Sequence, residues 1–552
     1  GGALMGLVSF LQFFGTYLIP VDFARRFDFN TVGTLNALAL FYGFLLLLVA
    51  GFMFGARKRM DAIPRALRIG LWAAAFVFVL NLAVINFVNA WIGLLAGALV
   101  LTAYAMKGGS TADGAVRNSY FYGLLALVVI PLLFIFVRVP LFSSISMPIE
   151  VSPSAGSTIS IATGNVWKGG IRPMLIGTGP ATFQYPYALY HDRTINVTTF
   201  WNTRFVQGYS YATTLFATGG VFGAVALLLI IAGFCWCALR CMRTLPEHPL
   251  AGGLLGGGVL LLLAWFLYPA NLTLNLSLFF TLGLLVAILH REGESDGGRW
   301  WRERTIQWTS PWATFAFSLA IVFLLSLSVA GAYTAIQRYR AALSSEAAIA
   351  TVQQGGPTDT AIEQLSRATE LERWNDKYFR FLSQGRLLRI QNLINESVRP
   401  NPPANLQADF QKEVENAIAA IQRAIELNPL EPFNYRTAGT IYEALIPYVP
   451  GADQAAITAY TRAEEYDPLN PLVPAERARS FMTMADLRQT LLSQGGVSAE
   501  DRQRVSQERE QALRNARESL IRAIDAKGDF ATAHFLLSQV ALREGRISDA
   551  IE

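Results

Sequence analysis

Between residues 167 and 209 the chain gathers Trp167, Lys168, Arg172, His191, Asp192, Arg193, Trp201, Arg204 and Tyr209 into one polar stretch flanked by apolar runs. A guanidinium pairs with two phosphate oxygens at once, so Arg204 and Arg172, with the Lys168 ammonium, suit a diphosphate ligand. Beside a bilayer the same cations also suit snorkelling to lipid headgroups, and both readings stand. Trp201, with Phe183, Tyr185, Tyr187, Tyr190 and Phe200, supplies flat faces for sugar rings or for the headgroup level. His191 can act as a general base, with Asp192 beside it as a second proton carrier, although a loop histidine is also simply solvated. The "GTGP" sequence at 177–180 reads as a turn that redirects the chain, because no strand or helix start frames it as a nucleotide loop.

The elements that must position these groups follow from the distribution of apolar residues. Of 552 residues, 53% are hydrophobic and only 15% charged, and the mean hydropathy is +0.34, too apolar for a soluble protein of this size. Spans are expected at 3–19, 34–55, 69–87, 89–106, 119–138, 212–239, 249–268, 272–290 and 311–334. One set of loops between them carries Arg57, Lys58, Arg59, Arg65, Arg68, Lys107, Arg117, Arg240, Arg243, Arg291, Arg299, Arg302 and Arg304, whereas the short loops of the other set hold Arg25 and Arg26. Positive charge resists translocation, so the first set is expected in the cytoplasm of a multi-pass protein of the cytoplasmic membrane. The large loop 139–208 and everything beyond residue 335 are then extracytoplasmic. These loop charges account for the formal net charge of +5 without a nucleic-acid partner.

No metal or cofactor is expected. Cys235, Cys237 and Cys241 crowd one span and read as free thiols, and no Walker loop, HExxH or serine elbow occurs. Asp22 and Asp28 beside Arg25 and Arg26 read as a solvated charge cluster or an acidic pair. Sequons occur at Asn196, Asn271, Asn275 and Asn395. The beginning "GGALMG" and the end "ISDAIE" read as fragment boundaries.

The chain thus divides into a multi-span membrane domain, 1–335, and a soluble module, 336–552. An Ala, a large residue four on, and an Ala three further recur as Ala361, Leu365, Ala368; Ala417, Ile421, Ala424; Ala456, Tyr460, Ala463; and Ala516, Leu520, Ala523. With Tyr435, Ala438, Gly439, Tyr442 and Pro468 this is the tetratricopeptide order, in which small residues let paired helices approach and large ones fill the gap. The fold class is therefore all-α: a polytopic helical membrane protein of about nine spans followed by a helical-repeat solenoid. Such arrays hold protein partners or serve as spacers.

The order "WKGGIRPMLIGTGPATF", an aromatic-rich loop, "NVTTFWNTRF" and then "ATGGVFG" resembles the large external loop of the O-antigen ligase and O-antigen polymerase superfamily, over about residues 164–223. The resemblance implies a metal-independent glycosyltransferase that moves a glycan from polyprenyl diphosphate to a glycan, lipid or protein acceptor. It makes Arg204 the first candidate for stabilising the leaving diphosphate, with His191 and Asp192 as catalytic companions. Arg172, Arg193, Lys168, Trp167, Trp201 and Tyr209 are then binding residues; Tyr209 stands near the place where ligases of this superfamily carry a His, and Thr163 and Gly164 precede Trp167 where they carry an Arg. The rival expectation is a non-enzymatic membrane anchor that presents the repeats as a scaffold for envelope proteins.

Overall fold

The computed structural model describes residues 1–21, 24–55, 63–107, 114–137, 147–245, 248–293, 310–400, 403–493 and 498–551. Asp22, the loop cations Arg57, Lys58, Arg59, Arg299, Arg302 and Arg304, and loop residues 139–146 lie outside them, as do the side chains of Arg117 and Arg291. The described residues are helical, with no strand among them. They form two compact units: 1–190 with 205–304, and 191–204 with 305–552.

In the first unit α1 (Gly2–Phe13), α2 (Leu35–Gly55), α3 (Arg65–Ile85), α4 (Val88–Lys107) and α5 (Gly114–Phe136) precede three short helices, α6 (Ala155–Lys168), α7 (Ile171–Ile176) and α8 (Gln184–Tyr190). Then follow α9 (Tyr211–Thr244), α10 (Ala251–Leu267) and α11 (Leu272–Gly293). Six helices of the described chain are long and apolar enough to cross a membrane: α2, α3, α4, α9, α11 and α12 (Pro311–Gln353) of the second unit. The expected spans at 3–19 and 249–268 correspond to shorter apolar helices, Gly2–Phe13 and Ala251–Leu267, and that at 119–138 falls largely within α5.

Lipid tails are as apolar as Leu, so burying more Leu does not drive these helices together; close backbone approach does. The "AGGLLGGG" run of α10 supplies it. A Cβ on Gly51 of α2 would lie 2.2 Å from Gly253 Cα, and one on Gly97 of α4 would lie 2.5 Å from the Gly256 carbonyl oxygen. Around this seam Trp91, Trp265 and Tyr42 are fully buried. Side-chain amides tie the ends of the bundle: Asn89 donates to the Leu267 carbonyl at 2.7 Å and Asn271 to that of Val32 at 2.6 Å.

In the second unit α12 runs for 43 residues, about 64 Å at 1.5 Å per residue, roughly twice a hydrocarbon core. The apolar run ends near Tyr333, and Gln337, Arg338 and Arg340 follow on the same helix, so the expected boundary at 335 falls inside it. Helices α13 (Thr358–Leu371), α14 (Asp376–Ser397), α15 (Leu406–Leu427), α16 (Pro432–Leu445), α17 (Ala452–Tyr466), α18 (Leu472–Ser493), α19 (Ala499–Ala526), α20 (Ala531–Arg543) and α21 (Ile547–Ile551) then pack mainly on their sequence neighbours. All four Ala–large–Ala triads are buried. Two of their large members press on glycines of the adjacent helix: a Cβ on Gly439 would meet the Tyr460 ring at 2.6 Å, and one on Gly385 would meet Leu365 Cδ1 at 3.3 Å.

Buried charge knits α16, α17 and α18. Arg436 donates from Nε and Nη2 to both oxygens of Glu476 at 2.7 Å, while the Tyr460 hydroxyl donates to Glu443 at 2.6 Å and Arg479 Nε donates to the same carboxylate at 3.1 Å. Burial pushes the Glu443 carboxyl above its ordinary value, against the opposing pull of Arg479 and Tyr460.

Two outcomes are expected from this packing. Gly51→Leu forces α2 off α10 at a cost of roughly 3 kcal/mol, whereas Gly283→Leu, with open space at its Cβ, is tolerated; thermal unfolding and elution profile of the full chain in detergent distinguish them. Glu443 holds its proton to higher pH folded than unfolded, so its contribution is fully present below the ordinary carboxylate value and is lost as pH rises through the folded value. Glu443→Gln should therefore flatten the fall in α16–α18 stability with rising pH, read by hydrogen exchange corrected for intrinsic rates.

Candidate active site

The residues singled out in the sequence fall into both units. Trp167, Lys168, Arg172 and Tyr209 belong to the first, and His191, Asp192, Arg193, Trp201 and Arg204 to the second.

In the first unit the two glycine motifs of the external loop meet. Helix α9 is interrupted at Gly220, whose φ of 59° and ψ of −152° are non-helical. A break there separates the carbonyls of Ala217 and Thr218 from their usual donors four residues on, and in an apolar environment such groups must find partners. The Asn165 side chain donates to the Ala217 carbonyl at 2.9 Å, and the Gly179 N–H donates to that of Thr218 at 2.8 Å. Gly177 has φ 66°, and a Cβ there would lie 2.1 Å from the Thr218 carbonyl carbon. "GTGP" is thus the turn that caps the broken helix.

That contact sets the position of α6 and α7. Ser154 caps α6 by accepting from the Ser157 N–H at 3.1 Å, and Asn165 near its other end reaches α9. Trp167 and Lys168 in the last turn of α6 and Arg172 in α7 are exposed, Trp167 at 72%, beside exposed Ile171 and Ile176. An apolar face flanked by cations is the pattern of an interfacial segment. Tyr209 sits at the opposite end of α6, its N–H donating to Thr158 Oγ1 at 2.9 Å. Nine residues of helix, about 13 Å, separate that point from Trp167.

A cluster that the sequence reading passed over lies in the same unit. Glu150 accepts from Asn36 Nδ2 at 2.9 Å and from the Tyr268 hydroxyl at 2.8 Å, and Tyr268 in turn lies 2.6 Å from Thr34 Oγ1. The half-buried carboxylate is fixed by hydrogen bonds from α2 and the end of α10. One signal was available: Glu150 and Asp192 are the only acidic residues in 139–208.

In the second unit residues 191–204 form a loop whose side chains engage the repeats. Asn196, 2% exposed, donates to the carbonyls of Leu469 and Ala526 at 2.8 and 2.9 Å. Lys527 Nζ donates to the Asn196 carbonyl at 2.7 Å and to Asp529 at 2.6 Å. Trp201 meets Phe530 edge-on, with ring centroids 5.5 Å apart and Lys527 Nζ 5.6 Å from its ring. Arg204 pairs with Glu431, the N-cap of α16, and its guanidinium lies 5.1 Å from the Phe433 ring. His191 is buried, and with Arg204 it acts electrostatically on Asp467, whose carboxyl burial pushes upward.

Asp192 caps the 3-10 turn Arg193–Val197 by accepting from the Thr194 N–H at 2.8 Å, and that bond holds its carboxyl below the ordinary value. A carboxylate so stabilised is a weak base at neutral pH. Arg193 is exposed. The sequon asparagines are largely engaged: Asn196 and Asn271 as above, and Asn275 by accepting from Trp265 Nε1 at 2.7 Å; Asn395 is exposed on α14.

No family model matches the chain, and no curated protein matches its sequence. Among solved structures, human IFIT1 in the structure titled "Human IFIT1 dimer with PPP-AAAA" is similar at 12% identity with a TM-score of 0.20, over 71% of this chain and 97% of that one. At that TM-score the likeness carries no argument about fold or function.

The capped break is open to test. Gly220→Ala places a side chain at positive φ and its Cβ 2.6 Å from the Met174 carbonyl oxygen, and Gly177→Ala meets the Thr218 backbone. Each should cost on the order of 2 kcal/mol or more in thermal unfolding, while Gly233→Ala in the same helix, with nothing within 4 Å, should cost none.

Proposed function

We propose that the chain is a membrane glycan transferase acting on a polyprenyl-diphosphate-linked glycan at the outer face of the cytoplasmic membrane, with its second unit a tetratricopeptide-like solenoid in the same compartment. The observation that carries this reading is the interlock of "IGTGP" with "ATGG", the two glycine motifs of the superfamily resemblance, around the capped break in α9. The buried Ala–large–Ala triads support the solenoid, and the loop charges support the sidedness.

In the transfer, an acceptor hydroxyl attacks the anomeric carbon as the bond from that carbon to the diphosphate oxygen breaks. The hydroxyl proton passes to a base, and the diphosphate leaves with an added negative charge. Stabilising that charge is the main demand on the protein. Arg204 already faces Glu431, so the leaving group is assigned to Arg172 with Lys168, beside the exposed Trp167 at the membrane surface.

The test is donor consumption in membranes containing the full-length chain. Arg172→Ala should lower turnover by about 100-fold or more, the usual effect of removing a charge-stabilising donor. Consumption by the parent that survives Arg172→Ala unchanged would refute the assignment, and no consumption of any polyprenyl-linked donor would favour the scaffold.

A further inference from the structure

The contacts of residues 191–204 share a feature that no one of them displays alone. Glu431 lies in the turn between α15 and α16, Leu469 in the turn between α17 and α18, and Ala526, Lys527 and Phe530 at the turn between α19 and α20. These are the same structural position in three successive helix pairs. The loop engages all three: Arg204 at the first, Asn196 at the second and third, Trp201 at the third. The 14-residue segment thus reaches all three turns through its own side chains.

We infer that the row of interrepeat turns on the second unit is a recognition edge, and that its ligand is the chain's own loop 191–204. The repeats act in cis as a dock that fixes this loop, with Asn196, Trp201 and Arg204 as the determinants it reads. The chemistry at each position argues for recognition beyond incidental contact. Asn196 satisfies two helix-end carbonyls with both protons of one amide, Trp201 fills the space between the Phe530 ring and the Lys527 ammonium, and Arg204 completes a carboxylate that also caps a helix. A tethered ligand competes at an effective concentration of about 1 mM, so the edge is closed to micromolar competitors while the loop is seated. This inference is independent of the transferase reading: a dock for the loop serves an enzyme and a scaffold alike.

The probe is a fluorescent peptide of residues 191–204, cyclised through its ends and added to the full chain in nanodiscs. The parent should bind it weakly. The chain carrying Asn196→Ala, Trp201→Ala and Arg204→Ala together, its own loop released, should bind it at least tenfold more tightly. Adding Glu431→Arg to that chain should abolish the gain, and a peptide carrying Arg204→Glu should restore it, a rescue that a misfolded chain does not give. Equal binding by parent and released chain, no binding by either, or failure of the charge-reversed peptide to rescue would each overturn the inference.

Discussion

The arrangement of the first unit depends on two carbonyl groups. Once Gly220 breaks α9, the oxygens of Ala217 and Thr218 lose their helical donors, and an unpaired buried carbonyl costs about 1–3 kcal/mol or more. Asn165 and Gly179 supply them, which fixes the end of α6 against α9 and folds the "GTGP" turn onto the break. The exposure of Trp167 follows from that constraint, because Asn165 must face α9 and the residue two further along α6 points to another side of the helix. Glycine at 177 follows as well, since any Cβ there would occupy the place of the Thr218 backbone.

The second unit solves its packing by periodicity. Each Ala–large–Ala triad presents one bulky side chain between two small ones, and Tyr460 and Leu365 are received at Gly439 and Gly385 of the facing helix. Paired helices packed this way leave their connecting turns in register. A row of turns presents carbonyls and helix caps at regular intervals, which is what loop 191–204 engages through Leu469, Ala526 and Glu431.

The triads were legible in the sequence because their spacing is local and their residue types are few. The apolar helices were legible for the same reason, though the expected spans at 3–19 and 249–268 correspond to the shorter helices Gly2–Phe13 and Ala251–Leu267. Membership of loop 191–204 in the second unit was not legible. Its partners lie 227 to 331 residues away, and those of Asn196 Nδ2 are backbone carbonyls, which every residue type carries. Glu150 was passed over because Pro and Ser neighbours mark its segment as coil, while Asn36 and Tyr268 come from helices far away in sequence.

The cations differ most in what already neutralises them. Removing one partner from a buried pair costs about 3–5 kcal/mol, because it strands the other charge. Arg204 and Glu431, with side chains 18% and 6% exposed, are such a pair. For Arg204 to serve a leaving diphosphate, Glu431 would have to give up both its partner and its own solvation. The energy gained on the leaving group would first be consumed there. Arg172 has no such debt in position, since it is exposed on α7 beside apolar residues suited to a bilayer surface. An arginine whose attraction is balanced by structure holds a loop in place, and one that is open to the surface can respond to charge that appears during a reaction.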